Sequence, residues 1–101
     1  MIESISQDPK PVFEKGMLVA FRKDAMPDQV KRNFEKYANM NAMYRVLGVE
    51  KTDMYGEIVW LGPSDMSQRS VDDFQPSKLE EDPRYDDVFW VVTEYLRTAH
   101  N

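Results

Sequence analysis

The stretch YRVLGVEKTDMYGEIVWLGP, residues 44–63, decides the fold because it holds two apolar runs joined by a short polar connection. The runs, 44–49 and 57–61, are rich in the β-branched and aromatic residues that favour strands. Gly48 inside the first run predicts a bulge or a bend. The connection is longer than a two-residue turn, and neighbouring strands of this kind most simply pair antiparallel. We therefore predict an antiparallel hairpin.

A lone hairpin is marginally stable in water, so other strands have to lie beside it. Residues 13–23 alternate large apolar side chains, which predicts a first strand entered through a turn at Gly16. Downstream of the hairpin, residues 69–74 predict a short strand. A turn at 75–78 then directs Leu79 towards the core.

Two segments carry helical signals. Between the first two strands, Pro27 and Asp28 suit a helix start and apolar residues follow at helical spacing, which predicts a helix over about 27–40. Residues 86–99 are ambiguous, since their length and an apolar stripe favour a helix whereas VFWVV at 88–92 favours a strand. The helix is our preferred interpretation there, and the strand is the alternative.

Four segments carry a resemblance to a known class of fold: KGMLVAF (15–21), YRVLGVE (44–50), GEIVWLG (56–62) and RSVDDFQPSKL (69–79). Their order resembles that of small SH3-like barrels of the KOW and Tudor type. The resemblance implies a mainly β fold with helical additions (α+β). In detail, it implies a small antiparallel barrel with a helix inserted between strands 1 and 2 and a C-terminal helix or strand. It also implies a tendency to bind, although the complete aromatic cage and basic loops of nucleic-acid or methyl-lysine binders are missing.

The bulk properties fit one small domain, because the chain has 101 residues and 42% of them are hydrophobic. We predict a flexible N-terminal arm over 1–11 and a single SH3-like domain over 12–101. The lack of cysteine excludes disulfides and cysteine nucleophiles and fits a reducing compartment. No apolar run approaches the roughly 20 residues of a membrane span, so we expect a cytoplasmic protein without membrane contact.

The sequence offers little for catalysis. The only histidine, His100, lies next to the last residue, where chains usually fray. The paired carboxylates lack the alternate-residue spacing and central glycine of a calcium loop, and glycine-rich phosphate-binding motifs do not occur. We therefore expect no enzyme, no catalytic residue, no cofactor and no metal site.

Charge is unevenly distributed, with eight basic and seven acidic residues in 1–50 and five basic and eleven acidic residues in 51–101. The densest acidic stretch, 72–87, favours basic protein partners. The alternative is a solvated face that keeps the protein in solution. The carboxylates predicted to bind a partner are Asp72, Asp73, Glu80, Glu81 and Asp82.

A second candidate surface combines methionine with aromatic residues. The chain has seven methionines, and methionine is common on adaptable protein-binding surfaces. The candidates are Met54, Tyr55 and Trp60, and gap-filling in the core around the inserted helix is the alternative role for the methionines. We accordingly expect a protein–protein interaction adaptor, regulator or inhibitor that uses one of these two surfaces.

Two further hypotheses involve nucleic acid. The basic face of the predicted helix presents Lys31, Arg32 and Lys36, with Arg45 nearby, and such a cluster could contact phosphates. Conversely, the acidic surface could mimic nucleic acid towards a basic protein. Both remain alternatives to the protein-binding hypothesis.

Overall fold

A computed structural model describes residues 12–99, and its main element there is a five-stranded antiparallel sheet. The strands are β1 (Leu18–Phe21), β2 (Met43–Thr52), β3 (Gly56–Pro63), β4 (Phe89–Val92) and β5 (Leu96–Thr98). Their order across the sheet is β4-β3-β2-β1-β5. The helices are α1 (Asp28–Glu35) and α2 (Gln68–Asp73), with short 3₁₀ segments at Lys23–Ala25, Pro76–Lys78, Pro83–Tyr85 and Thr93–Tyr95. The domain is thus mixed α/β and mostly sheet.

The predicted hairpin is confirmed as β2 and β3, which pair antiparallel. Both strands run further than expected, so the connection shrinks to the three residues 53–55. The register shifts between Val46 and Gly48, as the glycine in this strand predicts. The strand predicted to support the hairpin is also present, because β1 pairs with β2.

The first strand is shorter than the predicted 13–23. Gly16 has a φ of +94°, and the turn expected there is confirmed. This turn separates Phe13 from β1, although the Phe13 side chain is still buried in the core. At the other end the chain leaves the sheet at Arg22, whose backbone N–H donates to the carbonyl of Tyr95.

The helix predicted over 27–40 ends at Glu35. One further helical bond follows, from the backbone N–H of Ala38 to the carbonyl of Phe34, and two of the next backbone N–H groups donate to side chains. The backbone N–H of Asn39 donates to the hydroxyl of Tyr44, and that of Asn41 donates to the side chain of Asn39. The Asn39 side chain thus offers the backbone an alternative to helical bonds before residue 40.

The strand predicted over 69–74 is wrong, since these residues lie mostly in α2. Ser67 caps this helix by accepting the backbone N–H of Ser70 at 3.2 Å. Val71 and Phe74, one helical turn apart, are both buried. The helical spacing of these two residues and the serine cap were the signals that favoured a helix.

The preferred helix over 86–99 is also wrong, and the alternative strand is confirmed. β4 and β5 occupy most of this segment and are separated by the 3₁₀ turn Thr93–Tyr95. β4 pairs with β3, which places Val91 opposite Val59 and Trp90 opposite Trp60. Cross-strand pairs of β-branched and aromatic residues stabilise a strand and here outweigh the helical stripe.

The sheet is packed on both faces, because Val46 and Leu47 are both buried but belong to different clusters. The first cluster gathers Val46 with side chains from every strand, and Val30 and Phe34 of α1 pack against it. The second cluster gathers Leu47 with Val71, Phe74 and Tyr85, which come from the long connection between β3 and β4. This connection, residues 64–88, is called the excursion below.

The predicted arm 1–11 and His100 lie outside the described residues. Between residues 12 and 99, no helix is long and apolar enough to cross a membrane. The same part of the chain holds no group of three or more His, Cys, Asp or Glu side chains placed to bind a metal ion.

Candidate functional site

The tip of the β2–β3 hairpin presents two of the predicted binding residues to solvent. Met54 and Tyr55 lie in the loop 53–55 and are 83% and 54% exposed. The hydroxyl of Thr52 accepts the Tyr55 backbone N–H at 3.0 Å and donates to the Gly56 carbonyl at 2.8 Å. Gly56 has a φ of +71°, which suits glycine at the end of a three-residue hairpin loop. The turn therefore fixes the backbone of the loop that carries both side chains.

A groove of about 560 Å³ runs from this tip between α1, β4 and the 3₁₀ turn Thr93–Tyr95. Its walls are mainly apolar and aromatic. A smaller depression of about 200 Å³ adjoins it, shares three of its lining residues and reaches Glu57. The main lining residues of the groove are Val30 and Phe34 from α1, Tyr55 from the hairpin tip, Trp90 and Val92 from β4, and Glu94 from the 3₁₀ turn.

The aromatic part of the groove joins the hairpin tip to β4. The rings of Tyr55 and Trp90 lie with centroids 5.1 Å apart and an interplanar angle of 43°. Trp90 remains 38% exposed even so. Tilted aromatic pairs of this kind hold one another in place without closing both faces to a ligand.

Trp60, the third predicted residue of the methionine and aromatic surface, does not line the groove. It stands opposite Trp90 in the β3–β4 register, but it packs on Phe74 of the excursion with ring centroids 6.0 Å apart. Its indole N–H donates to the carboxylate of Glu50 at 3.2 Å. Trp60 thus belongs with the second cluster.

The acidic candidates lie in the excursion, and Arg84 pairs with two of them. Its guanidinium lies 2.7 Å from a carboxylate oxygen of Asp82 and 3.4 Å from one of Asp73. Hydrogen bonds from Arg84 hold the pKa of Asp82 below its ordinary value. The same arginine also lies over the ring of Tyr85. Part of the negative charge is therefore already paired within the fold.

The remaining acidic candidates differ in their contacts. Asp72 accepts a hydrogen bond from the Gln68 side chain at 2.9 Å. Glu80 and Glu81 are exposed and form no ion pair among residues 12–99. The five carboxylates therefore do not act as one uniform negative surface.

The basic candidates are likewise divided. Arg45 donates to the carbonyls of Gly16 and Ser64 at 2.9 and 2.7 Å and so ties the hairpin to both neighbouring turns. Lys31 pairs with Asp28 at 3.4 Å. Of the four, Arg32 and Lys36 are exposed, on α1 and at its C-terminal end, and form no ion pair among residues 12–99.

The methionines divide between the two roles that the sequence allows. Met26 and Met40 are buried in the first cluster, where they fill space around α1. Met66 packs against the second cluster. Met43 and Met54 are exposed, and Met54 is the one that reaches the groove.

Sequence reasoning missed the groove residues that come from the C-terminal segment. Trp90, Glu94 and Tyr95 reach the site because β4 pairs with β3 and the chain then turns. Alternation in VFWVV was the available signal, since it leaves Trp90 partly exposed beside the buried Val91.

Comparison of the chain with protein-family models, with curated proteins and with solved structures finds no match in any of the three.

Proposed function

We propose that this chain is a non-enzymatic binding module and that the groove docks a segment of a protein partner. The single observation that carries the proposal is the exposure of Met54, Tyr55 and Trp90 beside a groove of about 560 Å³. Contiguous apolar side chains at a concave surface are typical of docking sites on otherwise polar small domains. Aromatic residues and methionine are enriched at the centres of such interfaces.

The rigidity of the site supports the same proposal. Thr52 and Gly56 close the hairpin loop, and the Tyr55 ring rests against Trp90. Side chains that are already held in place lose little conformational entropy when a partner binds. The energy of burying them is then available for affinity.

The acidic surface has weaker support as the docking site. Arg84 already pairs with Asp73 and Asp82, so an incoming basic partner would compete with an existing contact. The nucleic-acid-mimic hypothesis depends on the same carboxylates and weakens with them. The nucleic-acid-binding hypothesis keeps Arg32 and Lys36 as its exposed cations, since Arg45 is bonded within the fold.

We further propose that the strands close into a small SH3-like barrel. The strand order β4-β3-β2-β1-β5 supports this, because β4 and β5 stand at opposite ends of that order yet are joined by only the three residues Thr93–Tyr95. So short a connection between the two outermost strands requires the sheet to curl strongly. α1 then lies in the insertion between the first two strands.

Affinity capture from the native cell, with mass spectrometry of the bound proteins, tests the proposed function. The bait is the full chain, and the test variant is the double substitution Tyr55→Ala/Trp90→Ala. The matched control is Glu80→Gln/Glu81→Gln, which removes two exposed charges from the excursion. We expect one set of partners on the wild type and on the control, and its loss from the double variant.

The opposite result would contradict the proposal. Partners that persist on Tyr55→Ala/Trp90→Ala but disappear from the control would place the interaction on the acidic surface. Circular dichroism and thermal melting of every bait show beforehand that each variant is folded.

A further inference from the structure

We propose that the partner segment places a lysine or arginine side chain in the groove. The paired rings of Tyr55 and Trp90 contact this side chain on one side, and the carboxylate of Glu94 contacts it on the other. This inference rests on the proposed function and names the chemistry of the partner at the same site. The occupant is a basic, partly apolar stretch of polypeptide.

The position of Glu94 supplies the first argument. Glu94 lines both the groove and the smaller depression beside it, and it forms no ion pair among the described residues. Any segment that fills the groove removes water from this carboxylate. An unpaired charge that loses its water is costly unless the partner supplies a counter-charge or hydrogen-bond donors. A purely apolar segment would leave that cost uncompensated.

The charges around the site point the same way. Neither depression is lined by a lysine or an arginine. Glu57 adds a second carboxylate to the smaller depression, although Lys51 stands opposite it across the hairpin. Glu94 is therefore the better-placed acceptor. The net charge of −5 on the whole chain also favours the approach of a cationic segment.

The aromatic pair supplies the second contact. Tyr55 and Trp90 keep part of their rings exposed at the mouth of the groove. Ammonium and guanidinium groups are attracted to the faces of tryptophan and tyrosine rings. The aliphatic stem of a lysine or arginine could meanwhile cover Val92 and Met54, which also line the groove.

Selection of a random dodecapeptide library on the immobilised full chain tests this inference. We expect enriched peptides to share a lysine or arginine next to apolar residues and to lose binding on Tyr55→Ala. One enriched peptide is then titrated by isothermal calorimetry against wild type and Glu94→Gln. Glu94→Gln should weaken binding about fivefold, which is typical of a partly exposed ionic and cation–π contact. The matched control Glu81→Gln should change affinity less than twofold.

A second peptide, in which norleucine replaces the lysine or citrulline replaces the arginine, completes a double-mutant cycle with Glu94→Gln. It should bind the wild type about fivefold more weakly and should no longer respond to Glu94→Gln. Equal losses with Glu94→Gln and Glu81→Gln would overturn the inference, because attraction would then follow net charge alone. Enriched peptides that lack basic residues but depend on Tyr55 would overturn the inference and leave the proposed function standing. A selection without any Tyr55-dependent peptide would count against both.

Discussion

The excursion and the groove are opposite in character, although they meet at one pair of facing tryptophans. The excursion is rich in charge, yet Arg84 pairs with Asp73 and Asp82 and its aromatic residues are turned inwards. The groove has few charges, yet its Tyr55 and Trp90 rings remain partly exposed. Charge density along a sequence is therefore a poor guide to the charge that a surface offers to a partner.

The facing tryptophans lie on the same face of the sheet, because residues directly opposite in an antiparallel pair project to the same side. Trp60 on β3 lies under the excursion, whereas Trp90 on the neighbouring β4 packs on Tyr55 at the groove. Residues of the same type, directly opposite in register, thus have different packing partners. We expect the first to act mainly in stability and the second mainly in binding.

Phe74→Ala should give the largest effect and is the strongest test of the structural role of the excursion. Phe74 is 5% exposed and contacts both Trp60 and Tyr85. Truncating a buried phenylalanine should lower the free energy of unfolding by about 3–5 kcal/mol, which urea denaturation measures. Tyr55→Ala, the comparison variant in the groove, should cost no more than about 1 kcal/mol. Similar losses of unfolding free energy for the two variants would contradict the view that the excursion stabilises the fold more than the groove does.

Trp60→Ala and Trp90→Ala sharpen the comparison at the facing pair. Trp60→Ala removes the packing on Phe74 and the hydrogen bond to Glu50, so it should lower the free energy of unfolding by about 2–3 kcal/mol. Trp90→Ala should cost about 1 kcal/mol, because that ring is more exposed. Chemical unfolding of the two variants side by side measures the difference. A larger cost at Trp90 would contradict the roles assigned here.

Tyr85→Phe should have a smaller effect, because it removes a single hydrogen bond within the excursion. The Tyr85 hydroxyl donates to the carbonyl of Ser70 at 2.7 Å, and burial raises the pKa of this phenol. Loss of the bond should cost about 1 kcal/mol in unfolding experiments. Tyr55→Phe is the matched control and should be neutral, since its hydroxyl makes no hydrogen bond to residues 12–99. An equal loss of unfolding free energy for both substitutions would mean that the Tyr85 hydrogen bond does not stabilise the excursion.

Asp82→Asn should give the smallest effect, and that effect should depend on pH. In the folded chain, hydrogen bonds from Arg84 keep the pKa of Asp82 below its value in the unfolded chain. The ionised carboxylate therefore stabilises the fold above the unfolded pKa, and the contribution is lost as pH falls through the folded pKa.

Urea unfolding of wild type and Asp82→Asn at about pH 7 and about pH 3 checks this prediction. The difference in free energy of unfolding between wild type and Asp82→Asn should be larger at the higher pH. A difference that grows on acidification would have the wrong sign, and Glu81→Gln controls for the removal of one acidic charge.

The sheet was predictable from local sequence wherever a strand carried its own signal. The hairpin, its bulge at Gly48 and the turn at Gly16 follow from β-branched runs and glycine positions, and all three are present. The strand over 69–74 was wrong because the serine cap and the helical spacing of Val71 and Phe74 were not weighed. In 86–99 the length and an apolar stripe favoured the helix, whereas the composition favoured the alternative strand that is present. In the second segment, pairing of β4 with β3 decides the outcome, and a local pattern does not contain that information.

The candidate site was predictable only in part, for the same reason. Met54 and Tyr55 could be identified because the hairpin loop itself exposes them. Trp90 and Glu94 reach the groove through strand pairing between distant parts of the chain, so the sequence pattern around them did not identify them. The pairing of Arg84 with Asp73 could not be inferred either, since these residues lie on different turns of the excursion.

Hydrogen–deuterium exchange of the full chain, alone and with its captured partner, tests the central claim most directly. The account predicts slower exchange at the hairpin tip and loop end, residues 54–57, and at 90–95, with exchange in 72–87 unchanged. Slower exchange confined to 72–87, with no change at the hairpin tip, would contradict it.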